Sequence, residues 1–259
     1  MFPYRDENQT VHTPVVTYAI IAINVAVWLL VQGAGSAYGV AASVCNYGLI
    51  PGELLLRVHP GDGFDMGNGL RCLMDPGRAP EHILYSMFLH GGWLHLLGNM
   101  WFLWIFGDNV EDAMGRARYA IFYLVCGVAA AAGQVVAGPD SMIPMVGASG
   151  AISGVMGAYV VLYPRVKVYN LVWFGFFLTT IALPAWAMLG YWLLLQIVGG
   201  LGEVVSGASG GVAVFAHIGG FAAGAALVKL FTRDELLAQQ AALQRWAPRR
   251  LGFDRSSWS

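Results

Sequence analysis

Apolar residues are concentrated in long runs that polar segments separate. The runs cover about residues 15–31, 83–106, 119–137, 146–163, 183–198 and 211–231. A helix needs about 20 mostly apolar residues to cross the hydrocarbon core of a bilayer, and each run is close to that length. The pattern therefore predicts an all-α polytopic membrane protein with six transmembrane helices.

The stretch 168–202 decides the direction of the last predicted helix. It holds no charged residue, and it is too long for one span yet short for two spans with a turn. Because Pro184 divides it, we interpret 169–181 as an interfacial or tilted segment and 183–198 as one span. If the stretch crossed twice, the last run would enter from the opposite side of the membrane.

Polar segments flank and interrupt the membrane domain. Residues 1–13 form a polar N-terminal segment, 14–231 the membrane domain and 232–259 a polar tail. Within the tail, 234–246 predicts an amphipathic helix that could lie on the membrane surface. The segment 34–82 is too long for a simple connection, and loops of this length usually have structure or function of their own.

The distribution of lysine and arginine orients the predicted helices. The short loops 138–145 and 202–210 contain neither residue type, whereas the segments on the other side hold Arg116, Arg118, Arg165, Lys167, Arg233, Arg245, Arg249, Arg250 and Arg255. The positive-inside rule therefore predicts cytoplasmic termini and an external 34–82 loop. In that loop a disulfide between Cys45 and Cys72 can persist, although two unrelated thiols are the alternative.

The composition agrees with a membrane protein and excludes other classes. Hydrophobic residues make up 57% of the chain and charged residues 11%, whereas a soluble domain averages about 25% charged residues. The net charge of -1, with no basic block, gives no support to nucleic-acid binding. The first run is long for a cleaved signal peptide and acids precede it, so we interpret it as a span. The lack of a transit-peptide pattern favours a bacterial plasma membrane.

A serine and a histidine inside separate runs are candidates for chemistry. Ser149 lies in the motif Gly147-Ala148-Ser149-Gly150, and His217 lies in Ala216-His217-Ile218-Gly219-Gly220. A serine becomes a nucleophile only when a base is within hydrogen-bond reach. With a single crossing in 168–202, both residues lie within roughly 10 Å of the outer face.

Three further polar residues, His90, His95 and Asn99, occur within ten positions of the second run. His95 and Asn99 are four apart and share one helix face. Polar side chains are costly in a membrane and normally face a bundle interior or water. One such residue is most simply a helix-to-helix hydrogen bond, whereas three so close together favour a functional site.

Small residues predict how the serine and histidine helices approach each other. Ser149, Ser153 and Gly157 recur at four-residue spacing and would face Gly220 and Gly224. Missing side chains let helix backbones come close, which would bring the Ser149 hydroxyl to the His217 imidazole. Ordinary helix packing is the alternative, and it implies no chemistry.

Together these motifs resemble the rhomboid family of intramembrane serine proteases. The resemblance rests on the serine motif, the His90-x4-His95-x3-Asn99 spacing and the His217 motif, and it covers about 83–231. It implies a six-helix rhomboid-like bundle with a long external loop between the first and second helices. It also implies that the partners are transmembrane protein substrates and membrane lipid, with no cofactor and no metal.

The resemblance implies a role for each candidate residue. Ser149 would be the nucleophile and His217 its general base, in a dyad without a carboxylate. The oxyanion would be bound by Asn99, His95 and the Ser149 backbone N–H. Three supporting positions complete the implied site: His90, Gly147 and Gly150.

The chain departs from the family pattern in two places. Many members carry Trp-Arg before the second span, where this chain has Glu81-His82. Some members carry an aromatic residue four positions after the serine, on which the histidine ring packs. Ser153 occupies that position here, so His217 must be held in another way.

Three other functions are weaker. A non-catalytic rhomboid-like protein that binds client transmembrane helices would be expected to lack Ser149 or His217, and both are present. A transporter or proton conductor would usually carry paired acidic residues in its spans, and none are visible. A zinc site built from three histidines is disfavoured because His217 is predicted to pair with a serine helix.

Overall fold

The chain folds as a bundle of helices with two small sheets, and the computed structural model describes residues 2–67, 69–74, 80–175, 177–206 and 213–246. Its helices are α1 (Val15–Leu30), α2 (Ala37–Tyr47), α3 (Pro51–Leu54), α4 (His82–Tyr85), α5 (Trp93–Met114), α6 (Arg116–Ala137), α7 (Ser149–Leu162), α8 (Ala185–Ser206), α9 (Val214–Phe231) and α10 (Asp234–Trp246). Its strands are β1 (Phe2–Asp6), β2 (Gly63–Gly67), β3 (Leu70–Leu73), β4 (Lys167–Phe174) and β5 (Phe177–Pro184). Residues 68 and 75–79 of the predicted external loop and residues 207–210 of the predicted loop 202–210 lie outside the described residues. The tail from residue 247 onward, with Arg249, Arg250 and Arg255, also lies outside them.

Each predicted apolar run overlaps one long helix, but α5 and α8 continue past the predicted run ends at 106 and 198, to Met114 and Ser206. Among the described residues, α6 and α9 are long and apolar enough to cross a membrane by length and composition. Three further apolar helical segments are shorter, namely α1, α7 and residues 185–199 of α8. The bounds of α1, α6 and α9 lie within about three residues of the predicted runs.

The second run is interrupted, which the pattern did not predict. Helix α4 and a 3₁₀ turn precede an extended segment, and α5 starts only at Trp93. The Gly91-Gly92 pair explains the break, because glycine is among the residues least favourable to a helix. His90 therefore lies in a loop, whereas His95 and Asn99 occupy the first two turns of α5.

The uncharged stretch 168–202 forms a β-hairpin followed by a single helix. Strands β4 and β5 pair antiparallel, and β1 pairs with β4 on its other side, so the sheet order is β1-β4-β5. The all-α prediction was therefore incomplete, since it omitted this sheet and the β2–β3 hairpin. Helix α8 starts directly after β5, and it is the one helix in this stretch of the described chain.

Helices α7 and α9 approach each other through glycines. A Cβ added at Gly220 would overlap the carbonyl oxygen of Gly150 and lie 3.0 Å from its carbonyl carbon. A Cβ at Gly224 would overlap the carbonyl oxygen of Gly154 and lie 2.6 Å from its Cα. The two backbones therefore touch over two helical turns, as small residues at such an interface allow.

The predicted small-residue stripe on α7 was wrong by one residue. The positions that meet α9 are Gly150, Gly154 and Gly157, of which only Gly157 was expected. Successive residues point about 100° apart around a helix, so Ser149 and Ser153 face away from the closest contact and line a cavity instead. This rotation leaves the Ser149 hydroxyl accessible.

The segment 34–82 is attached to the loop before α7. A disulfide joins Cys45 on α2 to Cys72 on β3, which selects the bridge over the alternative of two free thiols. The backbones of Leu49 and Met145 exchange two hydrogen bonds, of 3.0 and 2.8 Å. The segment therefore fixes the chain immediately before the serine motif.

Helix α10 forms at the predicted residues and packs on the bundle. Its Gln240 is buried and donates hydrogen bonds from Nε2 to the Asn109 carbonyl and to Asp112 Oδ2 at 3.2 and 2.9 Å. The Tyr163 hydroxyl donates to Gln240 Oε1 at 2.5 Å. These contacts lie at the C-terminal ends of α5 and α7, the end opposite the serine motif.

Candidate active site

Ser149 is the first residue of α7, and the loop before it contacts the segment that precedes α5. The Gly147 N–H donates a hydrogen bond to the Ser86 carbonyl at 2.8 Å. Gly147 has a φ of 128°, a value that L residues rarely adopt. A Cβ at Gly147 would lie 2.7 Å from His95 Nε2, so only glycine lets the loop and this imidazole approach so closely.

Ser149 and His217 are in hydrogen-bond contact. His217 Nε2 lies 2.7 Å from Ser149 Oγ, which is the contact that the catalytic hypothesis needs. His217 lies in the first turn of α9, as Ser149 lies in the first turn of α7. The glycine contacts between these helices bring the two N-terminal ends together.

Gln196 on α8 bonds the other nitrogen of the His217 ring. Gln196 Oε1 lies 2.7 Å from His217 Nδ1. An amide oxygen only accepts, so Nδ1 carries the ring proton and Nε2 is left with a lone pair towards the serine. The Trp192 ring lies 5.9 Å from the imidazole, centroid to centroid. The structure therefore holds His217 from α8.

Sequence reasoning missed both residues of α8. Gln196 is the one amide, hydroxyl or charged side chain other than tyrosine in the run 183–198, and a polar residue there is the signal that pointed to His95 and Asn99 elsewhere. Trp192 lies four positions before it, on the same helix face. Ser153, at the position where some family members carry an aromatic residue, instead donates a hydrogen bond to the Ser149 carbonyl at 2.6 Å.

A cavity of about 740 Å³ lies beside the serine–histidine pair. Both members of the pair line it, and so do His95 and Asn99 from α5. The other lining residues are Gly91, Gly92, Trp93, Leu94, Gly98, Phe102, Val146, Ile152, Ser153, Met156, Trp192 and Ala213. The wall is mainly apolar, with its polar groups gathered around Ser149, as in typical binding pockets.

Two side chains of α5 present hydrogen-bond donors at this cavity. The Gly91 N–H donates to His95 Nδ1 at 3.3 Å, so in the neutral ring Nε2 carries the proton and is a donor. Asn99 Nδ2 is buried, and it has no hydrogen-bond acceptor in the part of the chain that the structure describes. The first N–H groups of α7 also lack intrahelical acceptors and carry the positive end of the helix dipole.

His90 packs behind His95 and does not line the cavity. Its ring lies 5.1 Å from the His95 ring in an edge-on arrangement. Gln32 clamps its backbone, because Oε1 accepts from the His90 N–H and Nε2 donates to the His90 carbonyl, both at 2.8 Å. His90 therefore supports the position of His95. Gly150 likewise supports the site, because it lies where α7 packs on α6 and α9.

Comparison with known proteins decides the family. The family model described as Rhomboid domain matches residues 79–234, which is more than half of the chain. The chain belongs to the rhomboid family. The rhomboid fold is a polytopic helical membrane fold.

Named rhomboid relatives match shorter segments of the chain. It is 40% identical over 82 residues to rhomboid-like protease 5 of Toxoplasma gondii, covering 30% of this chain and 9% of that protein. It is 39% identical over 85 residues to rhomboid protease GluP of Bacillus subtilis, covering 32% and 16%. It is 31% identical over 90 residues to rhomboid protein 1, mitochondrial, of Saccharomyces cerevisiae, covering 33% and 26%. The matches thus span less than a third of these relatives' lengths.

Proposed function

We propose that this rhomboid protein is an intramembrane serine endopeptidase that hydrolyses peptide bonds in or near the transmembrane segments of other membrane proteins. The observation that carries the proposal is the 2.7 Å contact between Ser149 Oγ and His217 Nε2 beside a cavity. Relatives from Toxoplasma and Bacillus that carry the name protease support it.

In this mechanism His217 activates the serine. Ser149 Oγ attacks the scissile carbonyl carbon while its proton passes to His217 Nε2, which forms an imidazolium and a tetrahedral intermediate. The intermediate then expels the amine, which takes the proton from His217, and an acyl-enzyme remains on Ser149. A water molecule, deprotonated by His217, hydrolyses that ester and restores the hydroxyl.

The oxyanion of each intermediate would be bound by donors around the cavity. Asn99 Nδ2 and His95 Nε2 supply side-chain donors, and the Ser149 N–H adds a backbone donor at the positive end of α7. Such preorganised donors stabilise developing negative charge, and removal of one costs roughly 3–4 kcal/mol in well-studied hydrolases. The buried, unpaired Asn99 Nδ2 supports this assignment.

The proposed arrangement in the membrane has six spanning helices. They are α1, α5, α6, α7, α8 and α9, with both termini cytoplasmic and the 34–82 loop external, in a bacterial plasma membrane. The Cys45–Cys72 bridge supports an external loop, because disulfides persist outside the reducing cytoplasm. The site would then open near the outer face, where substrates with helix-breaking residues expose carbonyls that a helix would bond internally.

The test is cleavage of a single-span membrane substrate by the detergent-solubilised protein. Wild type is expected to cut it, whereas Ser149→Ala and His217→Ala are expected to fall to background, since losing either member of such a pair costs on the order of 10⁶ in kcat. Ser141→Ala and His59→Ala, substitutions of the same types in external segments, should retain activity. Equal cleavage by all five proteins would refute the proposal.

The second candidate is a non-catalytic protein that binds client transmembrane helices in the same cavity. The mostly apolar wall of that cavity favours it, and binding would not need the hydroxyl. It predicts that wild type and Ser149→Ala capture a client helix equally and that neither cuts it. The cleavage assay therefore separates the two functions.

A further inference from the structure

The general base of the proposed function has a neutral partner on a different helix. His217 belongs to α9, and its Nδ1 contacts Gln196 Oε1 of α8 at 2.7 Å. Among the described residues no carboxylate lies within ion-pair distance of His217. Gln196 is thus the group that faces the side of the imidazole away from the serine.

We propose that Gln196 is the positioning residue for His217, which fixes the tautomer and the orientation of the catalytic imidazole. The proposal rests on the proposed function, since it assigns Gln196 the place that a carboxylate occupies in a three-member serine site. Gln196 acts through the histidine and does not itself touch the reacting atoms.

The tautomer is the first part of this role. A neutral imidazole carries one proton, and it can take the serine proton at Nε2 only if that proton is on Nδ1. Gln196 Oε1 accepts the Nδ1 proton and so selects this tautomer. The opposite amide orientation would point Nε2 of Gln196 at Nδ1 of His217 and leave the ring unable to act as a base.

The orientation is the second part. His217 is fixed at Nε2 by Ser149 and at Nδ1 by Gln196, both at 2.7 Å, and Trp192 from the previous turn of α8 lies beside the ring. Two contacts on opposite edges and one beside the plane leave the imidazole little freedom to rotate. These contacts replace the aromatic residue that some relatives carry where this chain has Ser153.

A neutral acceptor suits a site inside a membrane helix bundle. A carboxylate at Gln196 would stabilise the imidazolium more strongly, but it would place an ionised group in a low-dielectric region, where charges are costly. An amide oxygen fixes the tautomer without that cost. Glutamine therefore has a physical reason to stand at this position.

The test compares two substitutions of Gln196 with a neighbouring control. Gln196→Leu is expected to lower kcat roughly 10–100-fold, part of the 10²–10⁴ that a general base contributes, with KM within about twofold. Gln196→Glu is expected to retain the acceptor and to move the acid limb of the kcat–pH profile upward by about one pH unit, because a nearby carboxylate favours the imidazolium. Leu195→Ala, an exposed position on the next face of α8, should match wild type.

Nitrogen-15 NMR of selectively labelled histidine tests the tautomer without any turnover. Wild type should show His217 with Nδ1 protonated and Nε2 unprotonated at neutral pH, and Gln196→Leu should show a mixture of tautomers. An unchanged tautomer, together with wild-type kcat in Gln196→Leu, would overturn the inference even if wild type cleaves substrate. Thermal unfolding shows whether Gln196→Leu keeps its fold. If it does not, the kcat–pH profile of Gln196→Glu decides whether Gln196 acts on His217. If wild type shows no cleavage that depends on Ser149, the proposed function itself is refuted.

Discussion

The close glycine contact between α7 and α9 makes Gly220→Ala an informative substitution. The added methyl would overlap the carbonyl oxygen of Gly150 and lie 3.0 Å from its carbonyl carbon. Both partners are backbone atoms, so no side chain can rotate away. Gly150 is adjacent to Ser149, and Gly220 lies one turn after His217. The methyl would therefore push the two helices apart next to the Ser149–His217 contact.

The size of the effect follows from these distances. Non-bonded carbon atoms prefer about 3.5–4.0 Å, so relief of the 3.0 Å carbon contact alone requires the helices to separate by about 0.5–1 Å, and the overlap with the carbonyl oxygen requires a larger movement. The same movement would lengthen the 2.7 Å bond between Ser149 Oγ and His217 Nε2 beyond the roughly 3.2 Å limit of a normal hydrogen bond. A misplacement of 1 Å costs up to ~10²-fold in rate, and overpacking costs about 1–3 kcal/mol of stability.

The assay is kcat on the single-span substrate, measured beside thermal unfolding in detergent. Gly220→Ala should lose roughly 10–100-fold in kcat while remaining folded. Gly190→Ala is the matched control, because a Cβ at that helical position on α8 would meet nothing within 4 Å, and it should keep wild-type kcat. A Gly220→Ala protein with wild-type kcat and unfolding temperature would refute the claim that this backbone contact sets the serine–histidine distance.

Three further predictions concern other parts of the molecule. Asn99→Ala should lower kcat by about 10²–10³ with little change in KM, because it removes a donor to the oxyanion; a change in KM alone would contradict that role. Gln32→Leu should lower the free energy of unfolding by roughly 2–4 kcal/mol, since it leaves the backbone N–H and carbonyl of His90 without their buried partner, and a urea titration that matches wild type would count against the clamp. Burial raises the pKa of Asp6 from 3.8 to about 6, against the opposing hydrogen bond from Tyr159. The folded state therefore binds more protons than the unfolded state between these values, and the free energy of unfolding falls as pH rises through that window. Asp6→Asn should remove this part of the pH dependence of the unfolding temperature, and an unaltered dependence would contradict the assignment.

The hydrophobic pattern was enough to place the long helices and to bring Ser149 and His217 to the same end of the bundle. Run length is a strong signal in a membrane protein, because the bilayer requires about 20 apolar residues for each crossing. The single helix after Pro184 was equally readable, since the uncharged stretch was too short for two crossings and a turn.

The hydrophobic pattern did not predict the β-hairpin or which face of α7 contacts α9. Residues 168–181 hold no charged residue that would mark the solvent-facing side of a helix or strand, and the pairing partner β1 lies more than 160 residues earlier in the chain. On α7, small residues occupy both the 149–153 and the 150–154–157 rows, so spacing could not select the row that meets α9. Tertiary packing decides between such equal patterns.

For Gln196 the sequence could indicate a polar contact but could not identify its partner. Its residue type was a usable signal, because one amide in an apolar run is costly without a partner. Its partner could not be identified, since the 21-residue separation from His217 includes the connection between α8 and α9. Only the packing of these two helices brings the amide to the imidazole.

The most direct test of the central claim is to map the site of a fluorophosphonate label by peptide mass spectrometry. We expect an adduct on Ser149 in the wild-type protein, and its loss when His217 is replaced by alanine, because the hydroxyl is then no longer activated. Labelling of another serine, or equal labelling of Ser149 with and without the histidine, would contradict it.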